Sequence, residues 1–151
     1  MLPIRDYDQM LEAAAAVGPV PVAIAAAHER QVLVAVHEAQ VRGIIQATLI
    51  GDTKRIHRLA REEGIARGTL RIVDEPDSVA CADRTMRLVA QGEAQVAIKG
   101  QMQTSAFLHA ALRREAGLRT GRLISHVGVF EVPGLDRLLF ITDGGVVLYP
   151  T

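Results

Sequence analysis

Short unbroken apolar runs alternate along this chain with stretches in which apolar residues recur every third or fourth position. Val20–Ala26, Ile44–Ile50, Thr69–Val73 and Ala94–Ile98 are runs of strand length without polar alternation, the pattern of strands covered on both faces. Helical spacing fills the intervals. Tyr7, Met10, Leu11 and Ala14 share one face ahead of Gly18-Pro19, and Val32, Ala35, Val36 and Ala39 share another, ended by Gly43. Ile56, Leu59 and Ala60 run to Gly64, while Val79, Ala82, Met86, Val89 and Ala90 run from Pro76-Asp77-Ser78 to Gly92. Leu108, Ala111 and Leu112 mark a last helix before Gly117. Successive strand–helix units predict an α/β fold with a mostly parallel sheet, right-handed crossovers and helices on both faces. After Gly121 the pattern changes: Leu123–Val132 and Arg137–Thr142 are extended runs joined by Pro133-Gly134-Leu135-Asp136, which predicts an antiparallel hairpin attached to the sheet. Gly144 to Thr151 brings no terminal helix, and the segment looks cut off.

Composition narrows the picture. The 151 residues suffice for one domain with a substantial core, and we read residues 1–151 as a single α/β domain. Seventeen basic against seventeen acidic residues give no net charge, which argues against a nucleic-acid surface. Cys81 is alone, so no internal disulfide can form, which suits the cytoplasm; its helical setting makes it a buried structural thiol rather than a nucleophile. The uncharged run Ala13–Ala27 is shorter than the ~20 residues a spanning helix needs and is broken by Gly18, Pro19 and Pro21. Arg5, Asp6, Asp8 and Glu12 make a poor secretory leader, so no membrane span or signal is expected.

Ligands of parallel α/β sheets bind beyond the carboxyl ends of the strands. Here those ends are His28-Glu29, Gly51-Asp52, Asp74-Glu75 and Lys99 to Ser105. Only the last combines a cation, a glycine that lets the backbone approach a ligand, and the hydroxyls of Thr104 and Ser105 at a helix start, where free N–H groups favour an anion. It is not a Walker A loop. Spacing alone leaves two readings open: Lys99 and Gly100 hold an anion, or Lys99 snorkels to water while Thr104 or Ser105 caps the helix. His28 and Asp52 read as caps or loop residues, and His37 and His57 as solvated surface. No histidine pairs at metal-ligand spacing, so no metal site is expected. Ser125 and His126 interrupt an apolar run; neighbours in a strand point to opposite faces and cannot form a nucleophile–base pair. They read as a satisfied buried histidine or a serine donor in a ligand cleft. Arg119 and Arg122 either add positive potential or are surface charges.

Several stretches together resemble the phosphate acetyltransferase/phosphate butyryltransferase family, its butyryltransferase branch in particular. They are PVAIAAAHE (21–29), GIIQATLIGD (43–52), the IVDEPD turn (72–77), VAIKGQMQTSAFLHAAL (96–112) and, most specifically, GLRTGRLISHVGVFEVPGLDRLLFITD (117–143). The resemblance implies a cytoplasmic acyltransferase that moves an acyl group between coenzyme A, as a substrate, and inorganic phosphate, with no tightly bound cofactor. It implies a two-domain fold like that of the isocitrate/isopropylmalate dehydrogenases, an active site in the cleft between domains, and a homo-oligomer. Lys99, Gly100, Thr104, Ser105, Ser125 and His126 would line the phosphate and acyl end, with His28, Gly51, Asp52, His109 and Arg122 secondary. Departures are His109 where relatives carry arginine, Ser105-Ala106 where they read Ala-Asp, and Val147 where they tend to have asparagine. Relatives continue for about another such length, which supplies the second domain and the main catalytic set. The chain is therefore expected to be an amino-terminal domain, catalytically incomplete alone and prone to self-association. The alternative is a stand-alone module that binds an anion or acyl phosphate, or an assembly partner, without catalysis.

Overall fold

A computed structural model describes residues 3–122 and 124–143. Leu123 and residues 144–151, with them Val147 and the terminal run, lie outside the described residues. The chain forms two compact units: residues 18–119, and the described residues before 18 together with those from 120 on.

The larger unit is built on β1 (Val20–Ala25), which pairs in parallel with β2 (Ile45–Gly51) on one side and β4 (Val96–Lys99) on the other. β3 (Arg71–Asp74) pairs outside β2, so the order is β3-β2-β1-β4. Alternation along the strands sorts the core into two faces. Val22, Ile24, Ala47 and Leu49 pack with Leu33 and Val36 of α2 (Arg30–Val41) and Ile56 and Leu59 of α3 (Thr53–Glu62). Ala23, Ala25 and Ile50 meet Cys81 and Leu88 of α4 (Ser78–Ala90). α5 (Thr104–Leu112) packs on α4 through Ala110, Ala82 and Met86. Full burial of each large side chain here, Ile24, Leu33, Leu49, Ile50 and Ile56 among them, contributes about 1.5–3 kcal/mol. Cys81 is the buried thiol its helical position suggests: Sγ–H donates to the Glu75 carbonyl at 3.1 Å, and burial pushes the thiol pKa up.

Two boundaries differ from the sequence pattern. β3 begins only at Arg71, because Arg67–Thr69 closes a 3₁₀ turn with Thr69 Oγ1 donating to Ala66. α5 ends at Leu112, and a further 3₁₀ turn, Arg114–Ala116, reaches Gly117 at φ +70°. The larger correction concerns β4. It is not a buried strand: among the described residues it is the edge strand, with Val96 and Ile98 exposed at 43% and 38%.

In the smaller unit, α1 (Tyr7–Val17) starts with a reciprocal cap: Asp6 accepts from the Gln9 N–H at 2.7 Å, and Gln9 Oε1 accepts from Arg5 N–H at 2.9 Å. Tyr7 donates its hydroxyl to Val129 and its N–H to Glu131. These lie on β5 (Val127–Glu131), which pairs antiparallel with β6 (Leu138–Thr142) around Gly134 at φ +88°. The hairpin exists, as a two-stranded sheet of its own among the described residues. Among the described residues no helix is long and apolar enough to cross a membrane.

Candidate anion site at the sheet switch point

Strand order reverses between β1 and β4: the chain proceeds from β1 outward to β2 and β3, then returns to β1's other side. The loops leaving these two strands diverge there and leave a crevice, the place where open α/β sheets take ligands. A cavity of about 930 Å³ lies there. Its walls include Glu29 and Arg30 from the β1–α2 connection, Ser78 and Val79 from the start of α4, and Lys99, Gly100, Gln101 and Gln103 from the β4–α5 loop.

Helix starts give this cavity its polarity. Asp52 caps α3 by accepting from Arg55 N–H at 3.1 Å, and Asp77 caps α4 by accepting from Ala80 N–H at 2.7 Å. The N-cap residues of α2 and α5, Glu29 and Gln103, make no side-chain cap. Both uncapped starts border the cavity. Their first N–H groups and the positive end of each helix dipole favour an anion.

Each candidate residue has a definite place. Lys99 ends β4 at the carboxyl rim of the sheet, is exposed, lines the cavity and donates from Nζ to the Met102 carbonyl at 3.3 Å. Gly100 is buried, and packing against the end of β1 by itself requires a glycine there. A Cβ there would sit 2.4 Å from the Ala26 carbonyl oxygen and 2.8 Å from that of Ala25. Thr104 and Ser105 are the exposed first residues of α5; neither is its cap, because the N-cap position falls on Gln103, one residue before the hydroxyls. His109 is exposed on α5. His28 is buried, and its Nδ1 accepts from Asp52 N–H at 3.4 Å, pressed against Gly51, where a Cβ would come within 2.8 Å. His57 is only half-buried and not simply solvated: its Nδ1 is enclosed and has no partner among the described residues.

Ser125, His126 and Arg122 belong to the smaller unit and are exposed. Ser125 and His126 precede β5 instead of lying within it, so neither is a buried strand residue; the His126 carbonyl accepts from Asp143 N–H at 2.8 Å.

Sequence spacing missed the residues that organise the cavity mouth. Glu29 accepts from the Arg55 guanidinium. The amide of Gln101 satisfies its surroundings only with its NH₂ toward Glu29, where it donates to both carboxylate oxygens at 3.0 and 2.6 Å. These residues are tens of positions apart, and no local motif links them.

Asp74 closes the outer end of the same rim. It accepts from Thr53 N–H at 3.0 Å, and the backbone N–H and then the hydroxyl of Thr53 hold its carboxyl below the usual carboxylate range. A lowered folded pKa stabilises above the unfolded value of about 3.9 and is lost as pH falls through the folded one. Asp74→Ala should therefore lower the urea midpoint modestly at pH 7, and the gap to wild type should close as the pH is taken down through the folded value. A gap that stays constant across that range would mean the carboxylate does not act through its charge.

Comparison with known proteins agrees with the fold. The profile of phosphate acetyl/butaryl transferase matches residues 81–151. The chain is 39% identical to phosphate butyryltransferase of Clostridium beijerinckii over 97% of its own length and 48% of that protein. It is 42% identical to the phosphate butyryltransferase of Clostridium acetobutylicum, over 85% of this chain and 43% of the relative. A branched-chain phosphotransacylase from Enterococcus faecalis superposes with a TM-score of 0.70 at 26% identity, covering 87% of this chain and 45% of that one. The chain thus spans about half the length of the relatives it matches.

Proposed function

Since the chain belongs to the phosphate acetyl/butyryl transferase family, we propose that it supplies one wall of a cleft in which an acyl group passes between coenzyme A and inorganic phosphate. In this reading residues 1–151 act as the amino-terminal domain of a two-domain, isocitrate/isopropylmalate dehydrogenase-like enzyme, and coenzyme A is a substrate rather than a resident cofactor. The observation that carries the assignment of roles is the switch-point cavity, where Lys99 and the uncapped starts of α2 and α5 converge. Transfer forms a bond from the coenzyme A sulfur to the acyl carbon and breaks the bond from that carbon to a phosphate oxygen. The departing phosphate gains negative charge as the bond breaks. A lysine and fixed N–H dipoles meet that charge without reorganising, which is how preorganised donors lower such barriers.

Inorganic phosphate or acetyl phosphate titrated into the ¹⁵N-labelled chain should shift the backbone amides of residues 99–105. A charge-assisted hydrogen bond contributes about 1.5–3 kcal/mol, so Lys99→Ala should raise the dissociation constant about tenfold or more. Equal responses from wild type and variant would remove Lys99 from the site.

A further inference from the structure

We infer that Arg55 and Gln101 are positioning residues for the anion site, acting by holding the Glu29 carboxylate out of it. This rests on the reading of the switch-point cavity as a phosphate site. Glu29 is the difficulty in that reading. It lines the cavity and stands at the uncapped start of α2, so it places a negative charge where a phosphate is to bind.

The geometry shows what restrains it. The Arg55 guanidinium reaches Glu29 from the first turn of α3, and the Gln101 amide reaches it across the crevice from the β4–α5 loop. Arg55 does not line the cavity; Glu29 and Gln101 do. Both carboxylate oxygens are engaged, and the pair ties the two diverging loops together. A Glu29 released from these partners would be drawn by the same features that attract phosphate: the free N–H groups of α2 and the ammonium of Lys99. It would then compete with the ligand as an internal anion.

A purely structural role for Arg55 is small. The Arg55 and Glu29 side chains are 42% and 28% exposed, and ion pairs at such sites contribute little to stability. Arg55→Gln should stay folded, which a urea midpoint near that of wild type will establish.

The test is inorganic phosphate titration of the full chain, followed at the amides of 99–105. Arg55→Gln should bind about three- to tenfold more weakly, as expected for one unscreened like charge at close range. Adding Glu29→Gln to Arg55→Gln should restore wild-type affinity, and Glu29→Gln alone should bind at least as tightly as wild type. Gln101→Ala should weaken binding in the same direction. The Gln101 side-chain NH₂ resonances should move in Glu29→Gln, which reports the contact itself. Wild-type affinity in Arg55→Gln and Gln101→Ala, or failure of Glu29→Gln to restore binding, would overturn the inference while leaving the phosphate site standing. A wild-type chain blind to phosphate would overturn both.

Discussion

Gly100→Ala should be the most damaging single methyl group that can be added near the site. The position is closed by backbone, not by movable side chains: the new Cβ would lie 2.4 Å from the Ala26 carbonyl oxygen, 2.8 Å from the Ala25 oxygen and 3.0 Å from the Ala26 carbonyl carbon. Those atoms cannot step aside. Ala26 is fully buried and already in the left-handed region at φ +51°, and the Ala27 N–H is fixed to Ile50 at 3.0 Å. Relief must come from β4, whose last rung, Gly100 N–H to Ala25 at 2.7 Å, would break. Overpacking a close-fitted site costs about 1–3 kcal/mol and more where neighbours are rigid; we expect about 3 kcal/mol by urea denaturation. The phosphate response of residues 99–105 should disappear with it. Gly68→Ala is the control, since a Cβ there meets nothing within 4 Å, and it should change stability by less than about 0.5 kcal/mol. Equal midpoints for the two variants would show that the loop after β4 is not seated on the end of β1.

The elements of the fold were legible because each is a local property. Apolar runs gave the strands, three-four spacing gave the helices, and Pro133-Gly134 marked the hairpin turn. What could not be read was which strands are neighbours. VPVAIA and the VAI of β4 are both wholly apolar, yet the first is a central strand and the second, among the described residues, the edge, because order depends on pairing between residues more than 70 positions apart. The crevice exists only through that order, so its location could be narrowed to strand ends but not to the β1–β4 gap. Lys99 was visible because a cation after an apolar run is conspicuous. Gly100 was visible too, but not the close fit that requires it: its missing side chain admits the β1 carbonyls. The uncapped helix starts were recoverable in principle, since Glu29 and Gln103 are poor caps beside Asp52 and Asp77, but only with each boundary known to the residue. The Arg55–Glu29–Gln101 contacts had no signal in spacing.

The difference between centre and edge should itself be measurable as a difference in cavity cost. Ile24 and Ile98 are cross-strand partners on the same face of the sheet, one fully buried and the other 38% exposed. Ile24 packs among Leu33, Leu49 and Ile56 under α2 and α3, so truncation leaves a void that those fixed neighbours cannot fill. Ile24→Ala should therefore cost about 3–4 kcal/mol, within the range for buried isoleucine truncations. Ile98→Ala removes the same atoms from a position open to water, where transfer free energy is only partly lost and no sealed cavity forms. It should cost about 1 kcal/mol or less. Matched urea midpoints give both values without assumptions about ligand or activity. If Ile98→Ala proved as costly as Ile24→Ala, its side chain would have to be covered in solution, and β4 could no longer be treated as the free edge beside which the crevice opens.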